Sequence, residues 1–208
     1  MAYFTGGTMA MFELSQFERE LGVNYALSPR DAVGARYTWM RSERGPSVTH
    51  SGLGAHGITP RHESAELNYM RLLQRWNTES AQFNMWAFGG VGAMRSNTFS
   101  GEQFFYSPGL QIDAESTRLF FSAKGQLHRS KGVRNDVGVV RAGFSFWEAD
   151  YEDTQPWLVI EAKRTREFSE KIEITPILRL INRKFFAEIG VSQNREVKAG
   201  LMYVFSRN

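Results

Sequence analysis

Apolar and polar residues alternate with a period of two along most of the chain. Near its end, Phe185, Ala187, Ile189 and Val191 interleave with Glu188, Gly190 and Ser192. After Gln193-Asn194-Arg195 the set Val197, Ala199, Leu201, Tyr203 and Phe205 repeats the pattern against Lys198 and Gly200. Successive side chains of a strand point to opposite faces, so this period predicts β-strands with one apolar and one polar face. The same logic predicts strands over residues 8–16, 21–28 and 32–43. A fourth, over 66–76, loses parity at Arg71-Leu72, where a bulge is expected. Further strands centred on 83–93, 110–114, 119–127, 140–146, 158–162 and 172–175 bring the number to about twelve. Ten or fourteen is possible if a strand has been split or fused.

The connections separate by parity. Short turns at Ser28-Pro29-Arg30-Asp31 and near 77–79, 116–117, 150–155 and 182–184 follow the even strands. Longer segments at 44–63, 96–107, 129–136 and 164–171 follow the odd ones; only the first such connection, 17–20, is short. An even strand count with turns on one rim and loops on the other is the pattern of a transmembrane barrel, with its loops outside the cell. The closing hairpin also resembles that of bacterial outer-membrane β-barrels, whose last strand commonly carries a terminal or near-terminal aromatic, as Phe205 does here. That resemblance implies an all-β, transmembrane, antiparallel up-and-down β-barrel. It would occupy 1–208 as a single domain in the outer membrane of a Gram-negative bacterium. In size and pattern the chain is similar to the small porin-like barrels, without a motif that specifies one family.

Composition changes the picture little. The chain is 42% hydrophobic with a mean hydropathy of -0.39, values that would suit a soluble protein. In a barrel, however, each lipid-facing residue is diluted by a polar lumen-facing neighbour. No run approaches the ~20 apolar residues that a membrane helix needs. A soluble sandwich or lipocalin-like barrel would use the same strands with the apolar faces inward. Charges of both signs on nearly every strand, and Ala and Gly recurring on the apolar face, favour the outward-apolar assignment, since a close-packed core would have to fill those small positions. The absence of Cys excludes disulfides and thiolate metal sites. Met1-Ala2-Tyr3-Phe4 lacks the charged and apolar regions of a signal peptide, so the outer-membrane reading takes the chain as a mature form. A net charge of +3 with interspersed signs shows no basic patch, and no nucleic-acid partner is expected.

The polar face defines the candidate chemistry. Glu13, Arg36, Glu66, Asn84, Asp113, Glu115, Lys124, Arg141, Glu161, Lys163, Glu173, Arg179, Glu188 and Lys198 are expected to line the lumen. A ring of one sign would select ions of the other; mixed signs equally suit cross-strand pairs that fill and brace a narrow bore. The expected function is a narrow channel or passive pore for small solutes or ions. The alternative is a structural or accessory barrel with a salt-bridged lumen, acting through its outer loops or a periplasmic or envelope partner. Outer-membrane lipid and lipopolysaccharide are the expected surroundings, and no cofactor is expected. Met9, Met11 and Met40, with Met70, Met94 and Met202, fall on the lumen face. Thioethers are soft ligands suited to Cu(I), which allows a soft-metal path, although Met also fills irregular gaps. His50, His56 and His62 lie six residues apart in one Gly-rich segment; imidazoles bind Cu, Ni or Zn, but this spacing imposes no geometry. Finally, His128-Arg129-Ser130 resembles the His-x-Ser of the lipid A deacylases of the PagL family, also outer-membrane barrels. The resemblance implies an esterase in which His128 activates Ser130. It covers these two positions only: the Asn that usually follows that Ser is Lys131 here, and spacing identifies no orienting acid.

Overall fold

The computed structural model describes residues 5–41, 61–131, 133–150, 153–166 and 171–205. These form β1 (Thr8–Leu14), β2 (Glu18–Ala26), β3 (Asp31–Arg41), β4 (Arg61–Asn77), β5 (Ala81–Ser96), β6 (Gln103–Tyr106), β7 (Gly109–Ser116), β8 (Leu119–Ser130), β9 (Arg134–Ser145), β10 (Gln155–Arg166), β11 (Glu173–Ile181), β12 (Phe185–Val191) and β13 (Val197–Phe205). Every strand pairing is antiparallel. β1 pairs with β13, Thr8 opposite Phe205 and Leu14 opposite Ala199, so the sheet closes on itself. β6 and β7 both lie between β5 and β8, as two pieces of one stave interrupted at Ser107-Pro108. The barrel therefore has twelve staves. Closure pairs the backbone of every stave with two neighbours, which a chain needs where no water can satisfy it.

Burial repeats the sequence period. On β2, Gly22, Asn24 and Ala26 are buried while Leu21, Val23 and Tyr25 are exposed. On β11, Thr175, Ile177 and Arg179 are buried while Ile174 and Leu178 are exposed. Leu201 and Phe121 are 53% and 42% exposed, whereas Glu161 is 1% and Lys198 is 3% exposed. An inside made of ions and an outside made of Leu, Ile, Val and Phe is the reverse of a soluble core. It matches a barrel bathed in hydrocarbon. Aromatic pairs stand on the outer wall near both rims: Tyr203 against Phe205 (4.7 Å) at the turn end and Tyr37 against Trp39 (4.4 Å) at the loop end.

The bulge expected near Arg71-Leu72 is present, as a register shift between Leu72 and Gln74 in the pairing of β4 with β5. Other elements differ from expectation. β4 begins at Arg61, before the alternation becomes clean. The expected 129–136 loop narrows to 131–133, because β8 and β9 pair out to Arg129 and Arg134. β6 lies inside the expected 96–107 loop; its Gln-Phe-Phe-Tyr has no polar face to reveal it. Gly90 has a specific task. A Cβ there would lie 2.6 Å from the Glu66 carboxyl carbon, so only glycine lets that carboxylate lie flat on the wall.

Candidate functional site

Two apolar layers narrow the inside of the barrel. Toward the loop end, Met40, Met94, Phe105 and Val133 form one buried cluster, with Phe99 packed against it. Toward the turn end, Trp157, Val159 and Ile177 form a second, with Phe120 and Ile181 alongside. Arg179 lies between two rings at that level, its guanidinium carbon 4.3 Å from the Phe120 centroid and 4.9 Å from that of Phe186. Cation–π contacts of this kind hold an arginine in one orientation.

Between these layers lies a cavity of about 420 Å³. Acids on β1 and β2 (Glu13, Glu18, Glu20) and bases on β8, β9 and β10 (Lys124, Arg141, Lys163) both line it. Lys163 Nζ donates to Glu18 Oε2 at 3.1 Å. β10 and β2 are not neighbours in the wall, so this pair spans the bore. Lys198 Nζ donates to both oxygens of Glu161 at 2.8 Å and lies 3.1 Å from Glu13. Arg141 Nε donates to Glu161 at 2.6 Å and its Nη1 lies 3.5 Å from Glu188. Arg179 Nε donates to Glu188 at 2.8 Å. On the wall formed by β2, β3 and β4, Arg36 Nε sits 3.4 Å from both Glu20 and Glu66. Ser107 Oγ donates to the other Glu66 oxygen at 2.6 Å, across the break in its stave. Most of these charges are therefore bound to opposite ones, an arrangement that braces the wall.

The residues read from the polar face are distributed as follows. Glu13, Arg36, Asp113, Glu115, Lys124, Arg141, Lys163, Arg179 and Lys198 line the cavity. Glu66, Asn84, Glu161 and Glu188 are buried in the wall behind it. Glu173 lies nearer the loop end, in a small separate recess that Lys163 also lines. Met9 and Met11 line the cavity, whereas Met40 belongs to the apolar cluster of the loop end. His62 is buried opposite Met40; His50 and His56 lie outside the described residues. His128 and Ser130 share the inward face of β8, but they are not joined. His128 Nδ1 has no hydrogen-bond partner among the described residues and its ring stacks on Phe105 at 5.7 Å. Ser130 Oγ donates to Gln103 Oε1 at 3.1 Å instead.

Sequence reasoning missed Glu18 and Glu20, which it assigned to a connection. Their parity with Gly22 and Asn24 was the available signal. It also missed the aromatic part of the lining, Trp86, Phe88, Phe120 and Phe186.

Comparison with known proteins gives the fold a precedent. Neither a protein-family model nor a curated protein matches the chain. Among solved structures, the KdgM porin in complex with disordered oligogalacturonate superposes with a TM-score of 0.53 at 10% identity, covering 97% of this chain and 99% of that one. A second structure of the KdgM porin gives a TM-score of 0.52, with the same identity and coverage. The fold is that of the outer-membrane β-barrels. At such identity the likeness is one of architecture, and the chemistry of the bore has to be read from this chain.

Proposed function

We propose that the chain is an outer-membrane channel, a narrow passive pore for small solutes or ions. The observation that carries this is the cavity of about 420 Å³ inside a lipid-facing barrel, lined by ionisable groups on both walls. Its apolar exterior suits outer-membrane lipid and lipopolysaccharide. The fold shared with the KdgM porin supports the reading. Mixed signs along the bore favour weak rather than strict charge selectivity, since a single-sign ring is what rejects co-ions.

The bore-spanning Lys163–Glu18 pair and the Met40–Met94–Phe105–Val133 cluster support a second reading, a braced barrel with a closed lumen. One measurement separates the two. Refolded protein is added to planar lipid bilayers in concentrated KCl, with folding verified by heat-modifiable gel mobility. Discrete conductance steps are expected from a channel. Folded, inserted protein that gives none refutes the channel and leaves the braced barrel.

A further inference from the structure

Within the lumen, one strip of wall departs from the general pairing of charges. Arg36, Arg141, Lys163, Arg179 and Lys198 each have an acid within 3.5 Å. Lys124 lines the same cavity and has no ion pair among the described residues; its ammonium lies 5.2 Å from the centroid of the Phe88 ring. The next two inward positions of β8 share this condition. Among the described residues, Gln126 Nε2 and His128 Nδ1 have no hydrogen-bond partner, although the two side chains are only 4% and 7% exposed. Consecutive inward residues of a strand stand about 7 Å apart. Three polar groups with unused capacity thus run in line along one stave, facing the cavity. Buried polar groups are normally satisfied, so two exceptions in line with an ammonium that has no ion pair, all facing the cavity, leave a place for a partner that enters from it.

The acids facing Lys124 from other staves do not fill that role. Glu13, Glu18 and Glu20 act on it across the cavity, but each is held by its own cation, Lys198, Lys163 and Arg36 in turn. Asp113 accepts from Asn84, Trp86 and Gln111. Glu115 stands toward the turn end, opposite Phe120. On its β5 side the Lys124 ammonium meets an apolar wall, whereas its register partner on β7 is the polar Gln111. The Phe88 ring occupies the space left by Gly109, where a Cβ would lie 2.4 Å from it. Met70 is the register partner of Phe88 on β4, and both it and Trp86 line the cavity.

We infer that this strip is a recognition site for small organic carboxylates with an apolar body. The carboxylate takes Lys124 Nζ and Gln126 Nε2, and its ring or alkyl part lies on Phe88, Met70 and Trp86. The site names a solute class for the proposed channel and rests on that reading for its role in transport. A free cation and an unused N–H donor favour an anion over a cation. The adjoining apolar wall favours a carboxylate with a hydrophobic body over a polyhydroxylated one.

The test uses the full chain refolded in detergent and titrated calorimetrically with three probes. Benzoate carries both features, benzyl alcohol has the ring without the charge, and gluconate has the charge without the apolar body. Benzoate is expected to bind at least tenfold more tightly than either control. Lys124→Met is expected to weaken benzoate at least tenfold, with Lys124→Gln as a second variant should the first not fold. Lys184→Met, at the turn rim, is expected to bind like the parent. Equal binding of gluconate and benzoate, or parental affinity in a folded Lys124 variant, overturns the site. KCl conductance of the same preparation separates this inference from the channel reading. A conducting parent that does not bind benzoate sinks the site alone. A non-conducting parent that binds it as expected keeps the site and sinks the channel.

Discussion

The charge network around Glu161 gives the most quantitative test of what the bore contains. Glu161 is 1% exposed and receives three donations: two from Lys198 Nζ at 2.8 Å and one from Arg141 Nε at 2.6 Å. Glu161→Gln keeps the shape and one acceptor, but turns an N–H toward a cation. Removing one partner of a buried pair costs ~3–5 kcal/mol, because the other charge stays buried without compensation. Here each cation retains a second acid, Lys198 with Glu13 at 3.1 Å and Arg141 with Glu188 at 3.5 Å. The expected loss therefore falls at the lower end, about 3 kcal/mol. Lys198→Met in the same background relieves part of it, since the double variant no longer sets a buried ammonium against the introduced amide N–H. A double-mutant cycle should give a coupling of about 1–3 kcal/mol between the two positions. Urea unfolding in phospholipid micelles, followed by Trp fluorescence and gel mobility, measures all four proteins. If Glu161→Gln lies within about 0.5 kcal/mol of the parent, the reasoning fails. The network would then behave like solvated surface pairs, which contribute ~0–1 kcal/mol, and the bore would be wet throughout.

Two further outcomes test the sides of the wall and the sulfur lining. Leu201, outward on β13 between Phe12 and Ala187, is expected to lose about 2–4 kcal/mol of folding stability in lipid vesicles as Leu201→Arg, whereas inward Met202→Gln loses much less. Equal stability of Leu201→Arg and parent would mean that this face does not meet hydrocarbon. The double variant Met9→Leu, Met11→Leu is expected to leave the silver tolerance of expressing cells unchanged. Of the six inward thioethers, Met40 and Met94 pack in the loop-end cluster while Met9, Met11, Met70 and Met202 line the cavity, and the Met11 sulfur accepts from Asn24 Nδ2, so the six do not make one continuous path. A changed tolerance would tie Met9 and Met11 to soft-metal passage.

How legible the barrel was in the sequence depended on what each stretch faces inside. Where the bore is charged, as along Glu13, Arg36, Arg141 and Lys198, a polar residue falls every second position against an apolar one, and strand, face and register follow from the period. β6 shows the failure. Phe105 turns inward to Met40, Met94 and Val133 while Phe104 and Tyr106 are exposed on the outside. Both faces are apolar there, and the four-residue strand reads as part of a loop. The start of β10 repeats this, with inward Trp157 and Val159 between outward Leu158 and Ile160, so the alternation becomes visible only from Glu161. The two places where the period fades are thus the two apolar layers that pinch the bore. A different limit hides the carboxylate site. Lys124 looks like any other lumen cation in one dimension. It differs because Arg36, Arg141 and Arg179 meet acids on adjacent strands and Lys163 and Lys198 meet acids brought close by closure of the sheet, whereas Lys124 has no ion pair among the described residues. Period two reports which way a side chain points. Which charges remain unspent is decided partly by the register of neighbouring strands and partly across the bore, as between β10 and β2, and so becomes readable only once the barrel has closed.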